Sequence, residues 1–382
     1  MISSLTKRNI LIIIGTSIML KLSYLMFAYT LNGNAEIISI NGYIDIIKRN
    51  DVGWYERISS NWYPKISDIR DLGYSEGANF KQSEWAFFPF YPGLNRFTSN
   101  VLHIPFNISG LLWSLIFSTL TFIGFYWFCE LLIKDISKAF YATLIFMIYP
   151  FHYYFSMMYT EALFLTFLIY SFIAIYYKKE LVLLVLLIPL TLVRPNGIFM
   201  VIPLYLFFLE TRKGIIDRHI IWQTLINKEI MIRSLIFLMA PICFILYCLY
   251  QKYVTGQYFA FSIAQIGWYK KLTFPLLSFF RSGDFQSQFN SMYTLVVCSI
   301  SFFSFKKISL SLNVLIWLSL LIPLSSGSMI SMQRYISVIF PITILVSSYF
   351  YQFKFKYAVV AIFFALHLFV FSYWLNSNPF SY

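Results

Sequence analysis

Eleven runs of this chain are apolar over most of their length and are 13 to 26 residues long, against the ~20 residues that cross the hydrocarbon layer of a bilayer as a helix. They fall at 9–31, 108–133, 139–154, 161–177, 181–193, 197–209, 234–254, 291–305, 308–324, 335–353 and 357–375. Few folds accept such segments. In lipid every backbone N–H and C=O must find its partner inside the protein, so only helices and closed barrels span. Continuous apolar runs, as opposed to alternating ones, select helices. The composition agrees: 59% of the residues are apolar, 21% aromatic and only 12% charged, about half the ~25% charge of a soluble domain. A soluble globule is excluded, and a chain this rich in Phe and Tyr is not disordered. The expected fold is an all-α polytopic membrane protein of about eleven transmembrane helices.

The net charge of +13 points to loop topology and not to nucleic acid, because no basic block exceeds a pair of residues and no nucleic-acid motif appears. With Lys7 and Arg8 on the cytoplasmic side, the loops assigned inside carry 15 Lys/Arg against 5 acids. The long loop 32–107, assigned outside, carries 7 Lys/Arg against 8 Asp/Glu. The bias therefore favours this orientation. The first run continues past Lys21 with no small-x-small cleavage site, so a retained span is expected in place of a signal peptide. The two short runs on either side of Arg194 to Asn196 read as two crossings, flanked by Lys178-Lys179 and Arg212-Lys213. No internal repeat of the transporter type appears. The chain 1–382 reads as one membrane domain whose large outer loops are 32–107 and 255–290. Cys129, Cys243, Cys248 and Cys298 all lie in apolar runs without Cys-x-x-Cys spacing, and His103, His152, His219 and His367 have no ligand spacing. Neither a disulfide framework nor a metal site is expected.

The chemistry-bearing residues gather at the assigned outer boundaries. In Asn50-Asp51-Val52-Gly53-Trp54-Tyr55-Glu56-Arg57-Ile58, with Trp62 beyond, the residues Trp54, Ile58 and Trp62 share one face of a predicted interfacial helix. Asp51 then sits at that helix's N-terminal end, where the dipole favours a carboxylate. A capping role and a catalytic role are both open, and these residues alone favour the cap. Trp85-Ala86-Phe87-Phe88-Pro89-Phe90-Tyr91-Pro92 is a proline-broken aromatic elbow in which Tyr91 offers a hydroxyl or simply anchors the loop. Glu161 opens an apolar run just after Thr160, either as a helix-start acid or as a partner that orients a cation. Arg194-Pro195-Asn196-Gly197 is a tight turn whose arginine suits either a phosphate or lipid headgroups, and Arg334-Tyr335 opens a further run in the same leaflet. Lys21 in mid-span is a costly charge with no partner visible in the sequence. Asp51, Glu161, Arg194 and Arg334 are far apart in the chain, yet the charge-derived topology puts all four on one side. They read as one composite site.

At these residues the chain resembles the PIG-V family, GPI mannosyltransferase 2 and its bacterial relatives, within the GT-C superfamily of multi-span glycosyltransferases. The likeness runs over most of the chain. It is carried by Asn50 to Ile58 against a Trp-Asp-x-x-Trp-Tyr-x-x-Ile pattern, by Gly73-Tyr74, and by Phe87-Phe88-Pro89-Phe90-Tyr91-Pro92. Ser156 with Tyr159-Thr160-Glu161, Arg194-Pro195-Asn196-Gly197, and Ser331 with Arg334-Tyr335 continue it. The series Gly256, Ala260-Phe261, Ala264-Gln265 and Trp268 matches bacterial members. Two departures stand out: Asn50 replaces the usual Trp, and about ten extra residues separate Ile58 from Gly73.

The resemblance implies a mannosyltransferase that takes its sugar from a polyprenyl- or dolichyl-phosphate carrier on the side away from the cytoplasm and passes it to a glycolipid or glycan. Under that implication Asp51 is the base that deprotonates the acceptor hydroxyl in an inverting displacement. Arg194 and Arg334 are candidates for the carrier phosphate, Glu161 orients one of them, and Trp54, Tyr55, Tyr91, Asn196 and Tyr335 are the remaining substrate-binding candidates. No metal and no cofactor is required. The bacterial-type elements tilt the expected location to a bacterial inner membrane, or the endoplasmic reticulum membrane in a eukaryote. The rival of another class is a transporter or flippase for a lipid-linked saccharide.

Overall fold

In a computed structural model, described over residues 4–73, 81–211, 227–280, 283–378 and 380, the chain is helical, with no strand among the described residues. Tyr74, Arg212, Lys213 and His219 lie outside the described residues. Among the described residues four helices are long and apolar enough to cross a membrane: Ser4–Asn32, Phe106–Ile133, Lys228–Thr255 and Lys356–Leu375. Shorter apolar helices accompany them, at Ile136–Ile148, Glu161–Tyr176, Glu180–Val193, Pro195–Thr211, Leu310–Leu324 and Phe340–Phe350. An all-helical, membrane-embedded protein follows from these elements.

The structure redraws three of the expected runs. The single run 335–353 is two helices, Met332–Ser337 and Phe340–Phe350, with the break just before Pro341. A proline ring is accommodated in a helix's first turn and not in its interior, which makes this a start point. The run 291–305 begins earlier, as Phe285–Phe303, because the Asp284 carboxylate accepts from the Ser287 amide at 3.2 Å and caps the helix. The loop drawn as 255–290 loses its last residues to that helix. Finally, Ile136–Ile148 stops before Pro150 and gives way to a 3₁₀ turn over His152–Ser156.

The chain divides into two compact units: 1–52, 107–169 and 333–382 form one, and 53–106 with 170–332 form the other. The core of the first is aromatic. Phe125 lies face to face with Phe146 at 3.9 Å between centroids, and Phe340 stands edge-on to Phe128 at 5.5 Å. Tyr24 and His367, both buried, pair across its helices. The Tyr24 hydroxyl meets His367 Nε2 at 2.7 Å while His367 Nδ1 faces the Tyr149 carbonyl at 3.0 Å. A carbonyl only accepts, so Nδ1 carries the proton and Nε2 receives the tyrosine's. Lys21, unassigned from sequence, donates to Ser17 Oγ at 2.8 Å and lies 5.9 Å from the centroid of the Phe122 ring.

In the second unit Glu180–Val193 packs against Phe90–Leu102 and Met239–Thr255, and Leu310–Leu324 packs against Val201–Thr211. Buried Glu210 ends the latter helix and receives the Leu310 amide at 2.8 Å and the Ser311 hydroxyl at 2.5 Å. A carboxylate there offsets the positive end of Leu310–Leu324. The two loops that looked separate in sequence pack together. Ile58, Tyr63, Leu72, Trp85 and Ala86 form one core cluster with Ala260 and Ala264. Two glycines allow this approach. A Cβ on Gly267 would stand 2.6 Å from the Lys81 carbonyl oxygen, and one on Gly73, at φ +128°, 3.2 Å from that of Ala264.

Candidate functional site

Three segments of the first unit deliver one charged cluster. Glu161 is the first residue of helix Glu161–Tyr176, fully buried, and it accepts from Arg334 Nε. Arg334, on the short helix Met332–Ser337, reaches Asp51 Oδ2 with Nη1. The guanidinium carbon lies 4.1 Å from the centroid of the Tyr159 ring. One arginine thus serves two carboxylates, so the trio has a formal charge of −1, and it rests on an aromatic face. Burial is graded: the side chain of Glu161 is 0% exposed, that of Arg334 10% and that of Asp51 25%. Asp51 is the solvent-accessible end of the cluster. Burial holds the Tyr159 phenol well above its usual range, and the Asp51 carboxylate adds to that shift. Tyr159 therefore stays protonated and supplies a ring, not a base.

The loop that carries Asp51 is fixed by its own backbone carbonyls. Ile46 O accepts from Trp374 Nε1 at 2.8 Å, Ile47 O from the Met158 amide at 3.2 Å, and Arg49 O from the Tyr159 hydroxyl at 3.4 Å. Asn50 then turns through φ 51°, in the left-handed region that Asn enters at low cost. Helix Val52–Asn61 starts directly after Asp51, as the sequence suggests. It ends before Trp62, which is left-handed at φ 64°, so the predicted Trp54–Ile58–Trp62 stripe is two-thirds helical. Its C-terminal end is held by Arg96, whose Nη1 donates to Ser59 O at 2.9 Å and Ser60 O at 2.7 Å.

The other predicted site residues belong to the second unit, except Tyr335, which follows Arg334 and is half-buried. Trp54 is half-buried between Phe87, at 6.0 Å, and Trp268, at 5.6 Å, and Arg57 lies 4.6 Å from its ring centroid. Tyr55 and Tyr91 are buried and meet edge to face at 5.0 Å. Their burial makes them walls of this aromatic group. Arg194 is buried at the C-terminal end of Glu180–Val193, and Asn196 is buried in the 3₁₀ turn Pro195–Met200 that follows. Gly197 is required there, since a Cβ on it would stand 2.0 Å from the Leu190 carbonyl oxygen.

Asp51, Glu161 and Arg334 thus come together as the sequence reading expects. Tyr159 was visible only as part of a motif, and Arg49 and Arg96 gave no sequence signal, because backbone carbonyls that accept from an arginine leave no mark in the sequence. No group of three or more His, Cys, Asp and Glu side chains placed to hold a metal ion occurs among the described residues. No protein-family model and no curated protein sequence matches the chain.

Proposed function

We propose that this chain is an inverting membrane glycosyltransferase of the GT-C type, similar to the PIG-V family, that moves a hexose from a polyprenyl-phosphate carrier to an acceptor hydroxyl. The sugar is mannose by the resemblance. The observation that carries the reading is the sharing of one buried arginine, Arg334, by Asp51 and Glu161 from three distant segments. Ionisable groups buried in a membrane protein at this cost mark function. The long and short apolar helices support embedding, here as eleven spans with the N-terminus cytoplasmic and the trio on the outer face of a bacterial inner membrane.

In the proposed reaction the acceptor O–H gives its proton to Asp51 as its oxygen bonds to the anomeric carbon. The bond from that carbon to the carrier phosphate breaks on the opposite face, inverting the configuration. The phosphate leaves as an anion and needs no proton. Arg334 already holds two carboxylates, which suits it to fixing the Asp51 carboxylate, with Glu161 fixing Arg334 in turn.

The test uses purified protein in nanodiscs with radiolabelled polyprenyl-phosphate-mannose and a host membrane lipid extract. Transfer of label to an acceptor by the native chain, lost in a folded Asp51→Asn variant, supports the reading. Passage of a labelled lipid-linked saccharide across vesicles with no donor consumed replaces it with the flippase.

A further inference from the structure

We infer that residues 374–378, together with Phe380, form a clasp that sets the geometry of the Asp51–Arg334–Glu161 trio by holding all three of its arms at once; as a positioning role it rests on the glycosyltransferase reading. Each arm is held one or two residues from the charged side chain. On the Asp51 arm, Arg49 Nη1 donates to Trp374 O at 2.7 Å, Leu375 O at 2.8 Å and Ser377 Oγ at 3.0 Å. Trp374 answers by donating from Nε1 to Ile46 O at 2.8 Å. On the Glu161 arm, the same indole stands edge-on to Tyr159 at 5.6 Å and 87°, the ring beneath the Arg334 guanidinium. On the Arg334 arm, the buried Gln333 donates from Nε2 to Phe380 O at 2.8 Å.

Physical chemistry gives this arrangement force. The carbonyls of Trp374 and Leu375 lie at the C-terminal end of helix Lys356–Leu375, where the dipole favours a cation, so Arg49 is held by charge as well as by hydrogen bonds. Asp51 follows Arg49 by two residues, one of them the left-handed Asn50, leaving little slack between the anchor and the carboxylate. Loss of the anchor frees the loop at the point where a displacement of ~1 Å costs on the order of 100-fold in rate. Arg49 and Trp374 are positioning residues: neither touches the reacting atoms in the proposed chemistry.

The experiment pairs amide hydrogen exchange with kinetics on the full chain in nanodiscs, comparing native protein with Arg49→Ala, Arg49→Lys, Trp374→Phe and Asp51→Asn. The clasp predicts that Arg49→Ala speeds exchange together in 46–52, 157–161 and 332–337 and leaves the helix Lys228–Thr255 unchanged. It also predicts a kcat lowered about 10- to 100-fold with donor KM within twofold, partial recovery in Arg49→Lys, and no further loss when Arg49→Ala is added to Asp51→Asn. Exchange confined to 46–52, or spread over the whole chain, overturns the clasp, as does full kcat in Arg49→Ala. Exchange reports on the clasp even where the native chain transfers no sugar, a result that would overturn the functional reading alone.

Discussion

Replacing Arg334 with Gln removes the one cation shared by Asp51 and Glu161, and the structure says which carboxylate suffers. Asp51 keeps a quarter of its side chain exposed and is rehydrated, whereas Glu161 is fully buried and is left as an uncompensated charge. Removing one partner of a buried pair costs about 3–5 kcal/mol, and exposure at the Asp51 end puts this case near the lower figure, ~3 kcal/mol. At roughly 2 °C per kcal/mol for a chain of this size, Tm falls by ~6 °C. Adding Glu161→Gln to Arg334→Gln removes the stranded charge and returns the cluster to its native formal charge of −1. Most of the loss then recovers, with a coupling of about 2–3 kcal/mol in the double-mutant cycle. Thermal unfolding of the four proteins in one detergent reads all of this. Equal stability of Arg334→Gln and the double variant would refute the reasoning, because it would mean that Glu161 carries no buried charge for Arg334 to balance.

Three further outcomes are expected. Gly197→Ala forces a Cβ to within 2.0 Å of the Leu190 carbonyl oxygen, so the turn carrying Arg194 must shift; a loss of more than about 3 kcal/mol in unfolding checks it. Asp135 caps helix Ile136–Ile148 by accepting from the Ser137 and Lys138 amides at 2.9 and 3.0 Å, and Asp135→Ala costs about 0.5–1 kcal/mol where Asp135→Asn costs less. Those amides, Lys138 first, hold the Asp135 carboxyl below its usual range, so the charged cap's contribution is present above the ordinary carboxylate pKa of about 4 and lost as pH falls through the depressed value. Stability of the native chain minus that of Asp135→Ala, measured from pH 7 to pH 3, falls with pH; a flat difference contradicts it. Arg96→Ala frees the Ser59 and Ser60 carbonyls and frays the helix that follows Asp51, seen as faster amide exchange over 58–62 with the helix Lys228–Thr255 unaffected.

How far the sequence could be read depended on where the information lay. Apolar length and caps are local, so the long helices Ser4–Asn32 and Phe106–Ile133 emerge from it almost unchanged. Charge is costly in an apolar setting, so Asp51, Glu161 and Arg334 stand out and their convergence could be expected before any coordinates. The break before Pro341 was legible in principle but hidden by the apolar residues on both sides. The pairing of 53–73 and 81–86 with 260–268 was not legible, since it depends on close backbone approach at Gly73 and Gly267. Nor was the role of Arg49, whose acceptors are the carbonyls of Trp374 and Leu375, groups present in every residue. Arg194 is buried where Glu180–Val193 ends, in the second unit.

The central claim is that the Asp51 carboxylate takes the acceptor proton. Single-turnover transfer from radiolabelled polyprenyl-phosphate-mannose, followed in native protein and in Asp51→Asn at matched donor occupancy and confirmed Tm, tests it most directly. The account predicts that the rate of glycosidic bond formation drops by about 10²–10⁴-fold with donor binding retained. A rate within threefold of native in a folded Asp51→Asn protein would contradict it.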